Sequence, residues 1–132
     1  NMTVKLNAII KKREGFRPFA PSIIEEEASK YFDMNEPSPY MSFVFPVKNK
    51  YLKAITHINN SARVQTVNKD FNPKYYKLLK AMKTVSNHPV VLNTSFNLKD
   101  QVITDSPERA IKRFLSSEMD ALVINNFLIF KK

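Results

Sequence analysis

Residues 89–97, with the sequence Pro-Val-Val-Leu-Asn-Thr-Ser-Phe-Asn, place a short apolar run directly before a polar segment. A continuous apolar run of this length is typical of a strand that is covered on both faces. Ser95 and Asn97 are two residues apart, so in an extended segment their side chains point to the same side. We therefore expect a buried strand whose end presents a hydroxyl and an amide to a single oxyanion.

A helix is predicted on each side of this strand. The earlier helix begins at the cap Asn72 with Pro73 in its first turn, and the later one begins at the cap segment 105–108. In both, apolar residues recur at three- and four-residue spacing, which predicts one buried stripe on each helix. The predicted stripes consist of Tyr75, Leu78, Leu79, Met82 and Val85, and of Ala110, Ile111, Phe114 and Leu115.

Further strands are predicted at 40–47, 55–58, 62–67, 121–124 and 127–130. Turns at 59–61 and 125–126 connect two pairs of them, because asparagine tolerates the left-handed backbone of tight turns. Residues 17–24 contain two prolines, which favours an extended edge segment, and Ser22 with Glu25 has the spacing of a helix-starting capping box. Strands and helices interleave without a strict βαβ repeat, so we expect an α/β fold with a mixed sheet.

The chain has 132 residues, 43% hydrophobic and 25% charged, which suits one globular domain over residues 1–132. No apolar run approaches the roughly 20 residues that cross a bilayer, and no signal peptide is recognised. We therefore expect a soluble, cytoplasmic protein without a membrane partner. Leu6, Ile9 and Ile10 predict an amphipathic helix that Gly15 ends. Since the chain opens inside this helix, we expect a fragment of a longer polypeptide.

The composition excludes several kinds of site. The sequence contains no cysteine and two histidines, so a disulfide framework and thiolate metal sites are excluded and a zinc site is not expected. Any metal ion would have to be bound by oxygen ligands. Gly15 is the only glycine, which rules out glycine-rich phosphate loops. The formal net charge of +9 nevertheless favours an anionic partner. Such a partner must then be held by cations, hydroxyls, amides or helix N-termini.

Three segments concentrate these groups: the cationic run 11–17, Arg63 in a predicted strand, and the polar segment 93–97. Each also has a structural explanation, because helix C-termini favour cations, Arg63 could pair with a carboxylate, and Asn, Thr and Ser are common in turns. His57 is more consistent with a hydrogen-bonded structural histidine than with a catalytic base, since no Ser-His-Asp grouping is visible. The glutamates at 25–27 suit a helix start rather than carboxylate catalysis.

A resemblance to a known family rests on three blocks of sequence. These are Ile-Lys-Lys-Arg-Glu-Gly-Phe-Arg-Pro-Phe-Ala-Pro-Ser at 10–22, Ala-Arg-Val-Gln-Thr-Val at 62–67 and Val-Val-Leu-Asn-Thr-Ser-Phe-Asn at 90–97. In this order they resemble the signature blocks of the carbamoyltransferase C-terminal domain, and residues 120–124 also fit. That domain is the second half of enzymes similar to nodulation protein U and the antibiotic O-carbamoyltransferases. The resemblance covers nearly the whole chain and implies a YrdC-like fold, with a mixed twisted sheet and flanking helices.

The resemblance also implies a two-stage reaction. ATP, as co-substrate, and carbamoyl phosphate form carbamoyl adenylate at the YrdC-like domain. The carbamoyl group then passes to a substrate hydroxyl at an N-terminal domain of the same polypeptide. In the family that other domain holds the metal, and it is absent from residues 1–132. We therefore assign no metal ligand here and consider Mg²⁺ only as a companion of ATP.

Five residues match the family's motifs. Lys11 and Arg13 match its K-x-R pair, which would contact phosphate oxygens. Ser95 and Asn97 match its S-x-N pair, which would fix the phosphate by hydrogen bonds. Arg63 matches the arginine of its A-R-x-Q block and would neutralise charge as the phosphoanhydride breaks. The resemblance thus implies Arg63 and Ser95 as catalytic residues, and all five as a nucleotide-binding set that we expect to converge on a triphosphate.

Two features depart from the family's pattern. Asn59-Asn60 stands where the family often has Asp-Gly, which removes an acidic side chain near the expected pocket. A Gly-Pro-Arg-rich stretch that the family carries upstream, with an anion-binding arginine, is not in this sequence.

Two other functions stay open on the residues alone. A basic RNA-binding module of YrdC-like fold would use the stripe of Lys74, Lys77, Lys80 and Lys83, although such stripes are usually solvated helix faces. It would also need exposed stacking aromatics, whereas we expect most aromatics to lie in the core. A degenerate structural domain would bind neither ATP nor RNA.

Overall fold

A computed structural model describes residues 2–49 and 51–131. The chain divides into two compact units: unit 1 is Asn1–Arg17 with Ser95–Lys132, and unit 2 is Pro18–Thr94. Helices and strands occur in both units, which confirms the predicted α/β class. The assignment of residues 1–132 to one domain and the YrdC-like architecture stay predictions.

The elements of the described residues are short. The strands are β1 (Ala20–Ile24), β2 (Val44–Pro46), β3 (Ser61–Arg63), β4 (Gln65–Val67), β5 (Val90–Asn93), β6 (Ala121–Ile124) and β7 (Phe127–Phe130). The α-helices are α1 (Met2–Lys5), α2 (Ala28–Tyr31), α3 (Pro73–Ser86) and α4 (Pro107–Leu115). A π-helical stretch, Leu6–Lys11, follows α1, and 3-10 turns cover Glu25–Glu27 and Lys53–Ile55.

Strand β1 is the centre of the three-stranded sheet of unit 2, which has the order β4-β1-β5. It pairs in parallel with β4 and antiparallel with β5, so the sheet is mixed, as predicted. All five residues of β1 are buried. The extended conformation predicted within 17–24 is therefore confirmed, but its place at an edge is wrong. Ile23 and Ile24 are fully buried, which explains why this strand lies in the middle.

The capping box predicted at Ser22 is also wrong. Ser22 lies inside β1, and its Oγ donates a hydrogen bond of 2.6 Å to Gln65 Oε1. The following residues, Glu25–Glu27, form a 3-10 turn without a side-chain cap. Pairing with two neighbouring strands satisfies the backbone of this segment more completely than a helix cap would.

The antiparallel pair of β2 and β3 sets Val44 opposite Arg63. The strand predicted at 40–47 is thus mostly wrong, since β2 spans three residues and Tyr40 is 87% exposed. The strand predicted at 62–67 is divided into β3 and β4, with buried Val64 between them. The preceding turn is as predicted, because Asn60 has a left-handed backbone with a φ of 59°.

Helix α3 begins as predicted, with the side chain of Asn72 accepting a hydrogen bond from the backbone N–H of Tyr75. Its buried stripe is narrower than predicted. Leu79 is fully buried and packs with Ile24 and Val67, whereas Leu78 and Val85 are exposed. The strand β5 that follows is half-buried along its length rather than fully covered.

In unit 1, helix α4 begins at the predicted cap, where the Ser106 side chain accepts from the N–H of Arg109. Ala110 and Phe114 are buried and pack against Leu122 of β6, as predicted, but Ile111 and Leu115 are exposed. The strands β6 and β7 form the expected hairpin. Asn125, which takes the left-handed turn position with a φ of 52°, replaces the glycine that usually favours such turns.

The first helix differs from the prediction in where it ends and in which side chains it buries. It ends at Lys11, and Lys12 takes the left-handed capping position with a φ of 50°, so Gly15 is not its stop. The buried side chains of the π-helical stretch are Asn7 and Lys11, whereas Ile9 is 38% exposed. No helix of residues 2–49 and 51–131 combines the length and the apolar character that a membrane crossing requires.

Candidate functional site

Lys11 connects two distant parts of the chain within unit 1. It is 6% exposed, and its ammonium donates hydrogen bonds of 2.8 Å to Ser95 O, Asn97 O and Asn97 Oδ1. The Ser95 Oγ lies 3.4 Å away. An ammonium has three hydrogens, so these acceptors occupy its whole donor capacity. The structure thus brings together three of the five predicted binding residues.

Ser95 and Asn97 also contact each other. Ser95 Oγ donates to Asn97 Oδ1 at 2.6 Å, and the Asn97 N–H donates to Ser95 O at 3.1 Å. Asn97 Nδ2 donates to Gln101 O at 3.0 Å. The two side chains therefore share one side of the segment, as their spacing predicts. They are held in this arrangement by contacts inside the protein.

A pocket of about 250 Å³ lies beside this network. Lys11, Arg13, Ser95 and Asn97 all line it, which is four of the five predicted residues. The other lining residues are Glu14, Arg17, Leu98, Lys99 and Asp100. Four cationic and two acidic side chains leave an excess of positive charge. The pocket therefore favours an anion.

The charge of Lys11 is not neutralised by an ion pair with any carboxylate of residues 2–49 and 51–131. Burial, and after it the charge of Arg13, lower the pKa of Lys11. Burial and the neighbouring Arg17 likewise lower the pKa of Arg13, against a smaller opposing effect of Glu14. An anionic ligand would supply the negative charge that Lys11 lacks among the described residues.

Asn7 is a site residue that the sequence does not indicate. It is fully buried, and its Nδ2 donates to Arg17 O at 2.7 Å, while its Oδ1 accepts from Arg13 Nε at 2.7 Å. Asn7 thereby fixes the cationic segment that follows the first helix. The one available signal is its spacing, because Asn7 and Lys11 are four residues apart and share a helix face.

Arg113 is a second residue that sequence reasoning missed. It is 8% exposed on α4, and its Nη1 donates to Phe96 O at 3.1 Å and to Thr104 Oγ1. Its contact is therefore to the residue between Ser95 and Asn97. A basic residue on a helix is usually solvated, so nothing local marks this one as buried.

Arg63 lies in unit 2, on β3, with its side chain exposed. Its neighbours Ala62 and Val64 are fully buried, so the strand alternation turns Arg63 outward rather than among them. It lines a pocket of about 260 Å³ together with Pro18, Phe19, Ala20 and His57. Its convergence with the other four residues on one triphosphate stays a prediction.

His57 belongs to a hydrogen-bonded turn. Its Nδ1 lies 3.2 Å from Ser61 Oγ, and Ser61 Oγ donates to Asn59 Oδ1 at 2.6 Å. The described contacts of Asn59 are thus directed at Ser61 and not at Arg63. Asn59, which stands where the family often has aspartate, thus contacts Ser61, and Ser61 contacts His57.

Of the surface features relevant to RNA binding, the lysine stripe argues against it and the exposed aromatics favour it. Lys80 and Lys83 of the lysine stripe pair with Glu26 at 3.5 Å and Glu27 at 2.6 Å, so half of the stripe is engaged in ion pairs. The expectation of mostly core aromatics is met only narrowly, since seven of the 15 aromatic side chains are exposed. The exposed aromatic side chains are Phe16, Tyr40, Phe43, Tyr51, Phe71, Phe127 and Phe130. Tyr40 and Phe43 lie before β2, in the segment whose aromatic and β-branched content predicts a strand, whereas Phe127 and Phe130 lie in the predicted strand β7 and are exposed there.

Comparison with known proteins identifies relatives over almost the full chain. Residues 1–131 match the family model described as Carbamoyltransferase C-terminus. The chain is 42% identical to nodulation protein NolNO of Sinorhizobium fredii and 42% identical to nodulation protein NolO of Bradyrhizobium diazoefficiens. These alignments cover 97% of this chain and 20% and 24% of the two relatives.

A 3'-hydroxymethylcephem-O-carbamoyltransferase of Amycolatopsis lactamdurans is 39% identical over 93 residues, covering 70% of this chain and 18% of that protein. The chain thus spans about a fifth of the length of the relatives it matches. The resemblance inferred from three sequence blocks is confirmed by the family match over residues 1–131. The chain belongs to the carbamoyltransferase C-terminus family.

Proposed function

We propose that this chain is the ATP- and carbamoyl phosphate-binding domain of an O-carbamoyltransferase. Water would cleave carbamoyl phosphate to carbamate and phosphate, and a carbamate oxygen would attack the α-phosphate of ATP, which forms carbamoyl adenylate and releases pyrophosphate. The acceptor hydroxyl would then take the carbamoyl group, lose its proton and release AMP. Family membership supports carbamoyl transfer, and the name of the Amycolatopsis relative supports oxygen as the accepting atom. Because the chain spans about a fifth of such relatives, acceptor binding and transfer are functions proposed for the whole protein.

The buried ammonium of Lys11 is the observation that carries the proposal. It is 6% exposed and hydrogen-bonded only to uncharged acceptors of Ser95 and Asn97 among the described residues. A buried charge without a counter-ion is unfavourable, and it gains most from a ligand of opposite charge. The cationic pocket beside it is where such a ligand would lie.

The size of the pocket supports a phosphate-bearing group rather than a whole nucleotide. Pockets for complete small ligands usually measure about 300–1,000 Å³, whereas this one measures about 250 Å³. We assign it to the phosphate chain of ATP or to carbamoyl phosphate. Arg13, Arg17 and Lys99 would supply charge there, and Ser95 Oγ a hydrogen-bond donor once it leaves Asn97. Carbamoyl adenylate formation needs mainly positioning and charge stabilisation, which suits this set.

Arg63 is the proposed cation of unit 2 for the same substrates. Its guanidinium is exposed beside Phe19 and His57, and it would neutralise charge as the phosphoanhydride of ATP breaks. Clusters of three or more potential metal ligands do not occur among residues 2–49 and 51–131. Mg²⁺ would therefore be held mainly by the phosphates of ATP, as is common for this ion.

Calorimetric titration with ATP and with a non-hydrolysable adenylate analogue tests the proposal. We expect Ser95→Ala to weaken ATP binding roughly 10-fold, the effect of losing one hydrogen bond to a charged group. Ser42→Ala is the control, because Ser42 is exposed and lies in the other unit. Equal binding by wild type and Ser95→Ala would remove the site assignment, and no binding by wild type would remove the proposal itself.

RNA binding is the second candidate, favoured by the exposed aromatics. Phe16, Tyr51 and Phe71 are 75%, 85% and 89% exposed, which suits base stacking. This function predicts a steep fall of RNA affinity with salt and a loss of affinity in Lys74→Gln and Lys77→Gln. Fluorescence anisotropy with a single-stranded oligonucleotide distinguishes the two functions. Tight, salt-dependent binding that ATP does not displace would favour RNA.

A further inference from the structure

Arg113 occupies a position that packing alone assigns to an apolar residue. On α4 the buried residues are Ala110, Arg113 and Phe114, which follow the three- and four-residue spacing of a core stripe. The core cluster around them contains Leu122 of β6, with Phe96 packed against it. A leucine or methionine at 113 would complete this stripe without burying a charge.

Arg113 is not needed to satisfy an unpaired acceptor either. Its Nη1 donates to Phe96 O at 3.1 Å. That carbonyl also accepts from the Thr104 N–H at 2.9 Å and from Thr104 Oγ1 at 2.6 Å, so Arg113 is an additional donor in a network that fixes the carbonyl. No carboxylate within residues 2–49 and 51–131 forms an ion pair with Arg113.

The contact of Arg113 complements the contacts of Lys11 with the same segment. Lys11 binds the carbonyls of Ser95 and Asn97, and Arg113 binds the carbonyl of Phe96 between them. Three successive carbonyls therefore each accept a hydrogen bond from a buried cation. The side chain of Phe96 is held as well, by the apolar face of α4. The segment that carries the Ser95 hydroxyl and the Asn97 amide is thus fixed from two sides.

We infer that Arg113 is a positioning residue for the anion contact of Ser95 and Asn97, and that it acts through the Phe96 carbonyl without touching the ligand. The residues that line the pocket, among those described, do not include Arg113. The effect of Arg113 on ATP binding rests on the proposed function. The ordering of residues 95–97 by Arg113 is independent of that function.

The first test is a double-mutant cycle on the 132-residue chain, measured by calorimetry with ATP. We expect Arg113→Met to weaken binding about 10-fold and Arg113→Lys, which keeps the charge, to recover part of the loss. Arg109→Met is the control, since Arg109 lies on the same helix but is exposed and pairs with Asp105 at 2.8 Å. In a background that lacks both anion contacts, Ser95→Ala with Asn97→Ala, Arg113→Met should change binding less than about 2-fold. Equal losses in both backgrounds would overturn the positioning role.

The second test needs no nucleotide. Amide hydrogen exchange should become about 10-fold faster at Asn97, whose N–H donates to Ser95 O, in Arg113→Met than in wild type. Exchange at Val123, in the hairpin of the same unit, should not change. If Arg113→Met does not fold, Thr104→Val takes its place, because it removes the hydroxyl that contacts both Arg113 and the Phe96 carbonyl. Unchanged exchange at Asn97 contradicts the inference. Faster exchange in a protein that binds no ATP leaves the inference standing and rejects the proposed function.

Discussion

Lys11 of unit 1 and Arg63 of unit 2 are both proposed to contact substrate anions, but the protein holds their side chains in opposite ways. Lys11 is 6% exposed, with three hydrogen bonds of 2.8 Å to residues 84 and 86 positions away. Arg63 is exposed, and its guanidinium makes no hydrogen bond or ion pair to the residues that the structure describes. Lys11 is therefore positioned before a ligand arrives, whereas Arg63 must be ordered by it.

This contrast separates two energetic costs. Ordering a free, long side chain on binding costs about 0.5–1.5 kcal/mol, which reduces the net gain from Arg63. Lys11 has lost that freedom already, but its burial carries a desolvation penalty that lowers its pKa. A substitution at Lys11 should thus change both folding and binding, whereas a substitution at Arg63 should change binding alone.

Replacing Lys11 should have the largest effect. In Lys11→Met, Ser95 O, Asn97 O and Asn97 Oδ1 lose their shared donor, and the pocket loses a cation. We expect ATP affinity to fall on the order of 100-fold, the upper range for a charge-assisted contact. The ordered segment 95–97 should also become mobile. Calorimetry and amide exchange measure the two effects.

The matched control is Lys12→Met. Lys12 is adjacent to Lys11 but exposed, and its substitution removes the same formal charge. If Lys12→Met weakens ATP binding as much as Lys11→Met, the effect is one of net charge. In that case the hydrogen bonds of Lys11 do not affect ATP affinity, and Lys11 and Arg63 do not differ in how they contribute to binding.

Replacing Arg63 should have a smaller effect that is confined to binding. We expect Arg63→Ala to weaken ATP binding roughly 10-fold, since one charge-assisted contact is lost and the ordering cost disappears with it. The melting temperature should stay within about 2 °C of wild type, because exposed substitutions usually change stability little. A clear drop in melting temperature would show that Arg63 has structural partners.

The sequence predicted the parts of the fold that depend on nearby residues. Asn72 and Ser106 cap their helices as expected, and Asn125 forms the hairpin turn, because each of these signals is complete within four residues. The pairing of Lys11 with Ser95 and Asn97 lies 84 and 86 residues apart, and only the family's motifs indicated it.

Where local signals competed with distant contacts, the distant contacts decided. Ser22 has a capping-box partner three residues on, yet it bonds to Gln65, 43 residues away, inside a paired strand. Asn7 and Arg113 follow helical spacing, but their burial depends on acceptors in other segments. Composition and periodicity contain no information about such partners. The spacing of Asn7 from Lys11 places it on the same helix face, but neither its burial nor that of Arg113 follows from the sequence.

The pH dependence of binding should distinguish the two cations more finely. Burial lowers the pKa of Lys11 from 10.5, and only the protonated form attracts an anion. ATP affinity should therefore fall severalfold as the pH rises through that lowered pKa, in wild type and in Arg63→Ala but not in Lys11→Met. Calorimetry at a series of pH values from neutral up to 10.5 measures this. The same slope in Lys11→Met would assign the titration to another group.

The contribution of Lys11 to folding stability changes with pH in the opposite direction to its contribution to ATP affinity. Between the lowered pKa of folded Lys11 and 10.5, the unfolded chain binds more protons. The contribution of Lys11 to the free energy of unfolding therefore rises with pH in that window, as its desolvation penalty is relieved. The difference in unfolding free energy between wild type and Lys11→Met, followed by denaturant titration, isolates this contribution.

The smallest expected effect comes from Glu14, which pairs with Arg17 at 3.2 Å on the exposed rim of the pocket in unit 1. Exposed ion pairs contribute little to stability, so Glu14→Gln should leave the free energy of unfolding nearly unchanged. It removes a negative charge from the lining and frees Arg17, which should strengthen ATP binding by about 2- to 3-fold at low salt.

The control is Glu118→Gln, which changes the net charge equally from an exposed position outside the lining and should strengthen ATP binding less. Equal gains in both variants would mean that ATP senses the overall charge of the chain. A gain confined to Glu14→Gln places the anion beside Arg17, in the region that Lys11 organises.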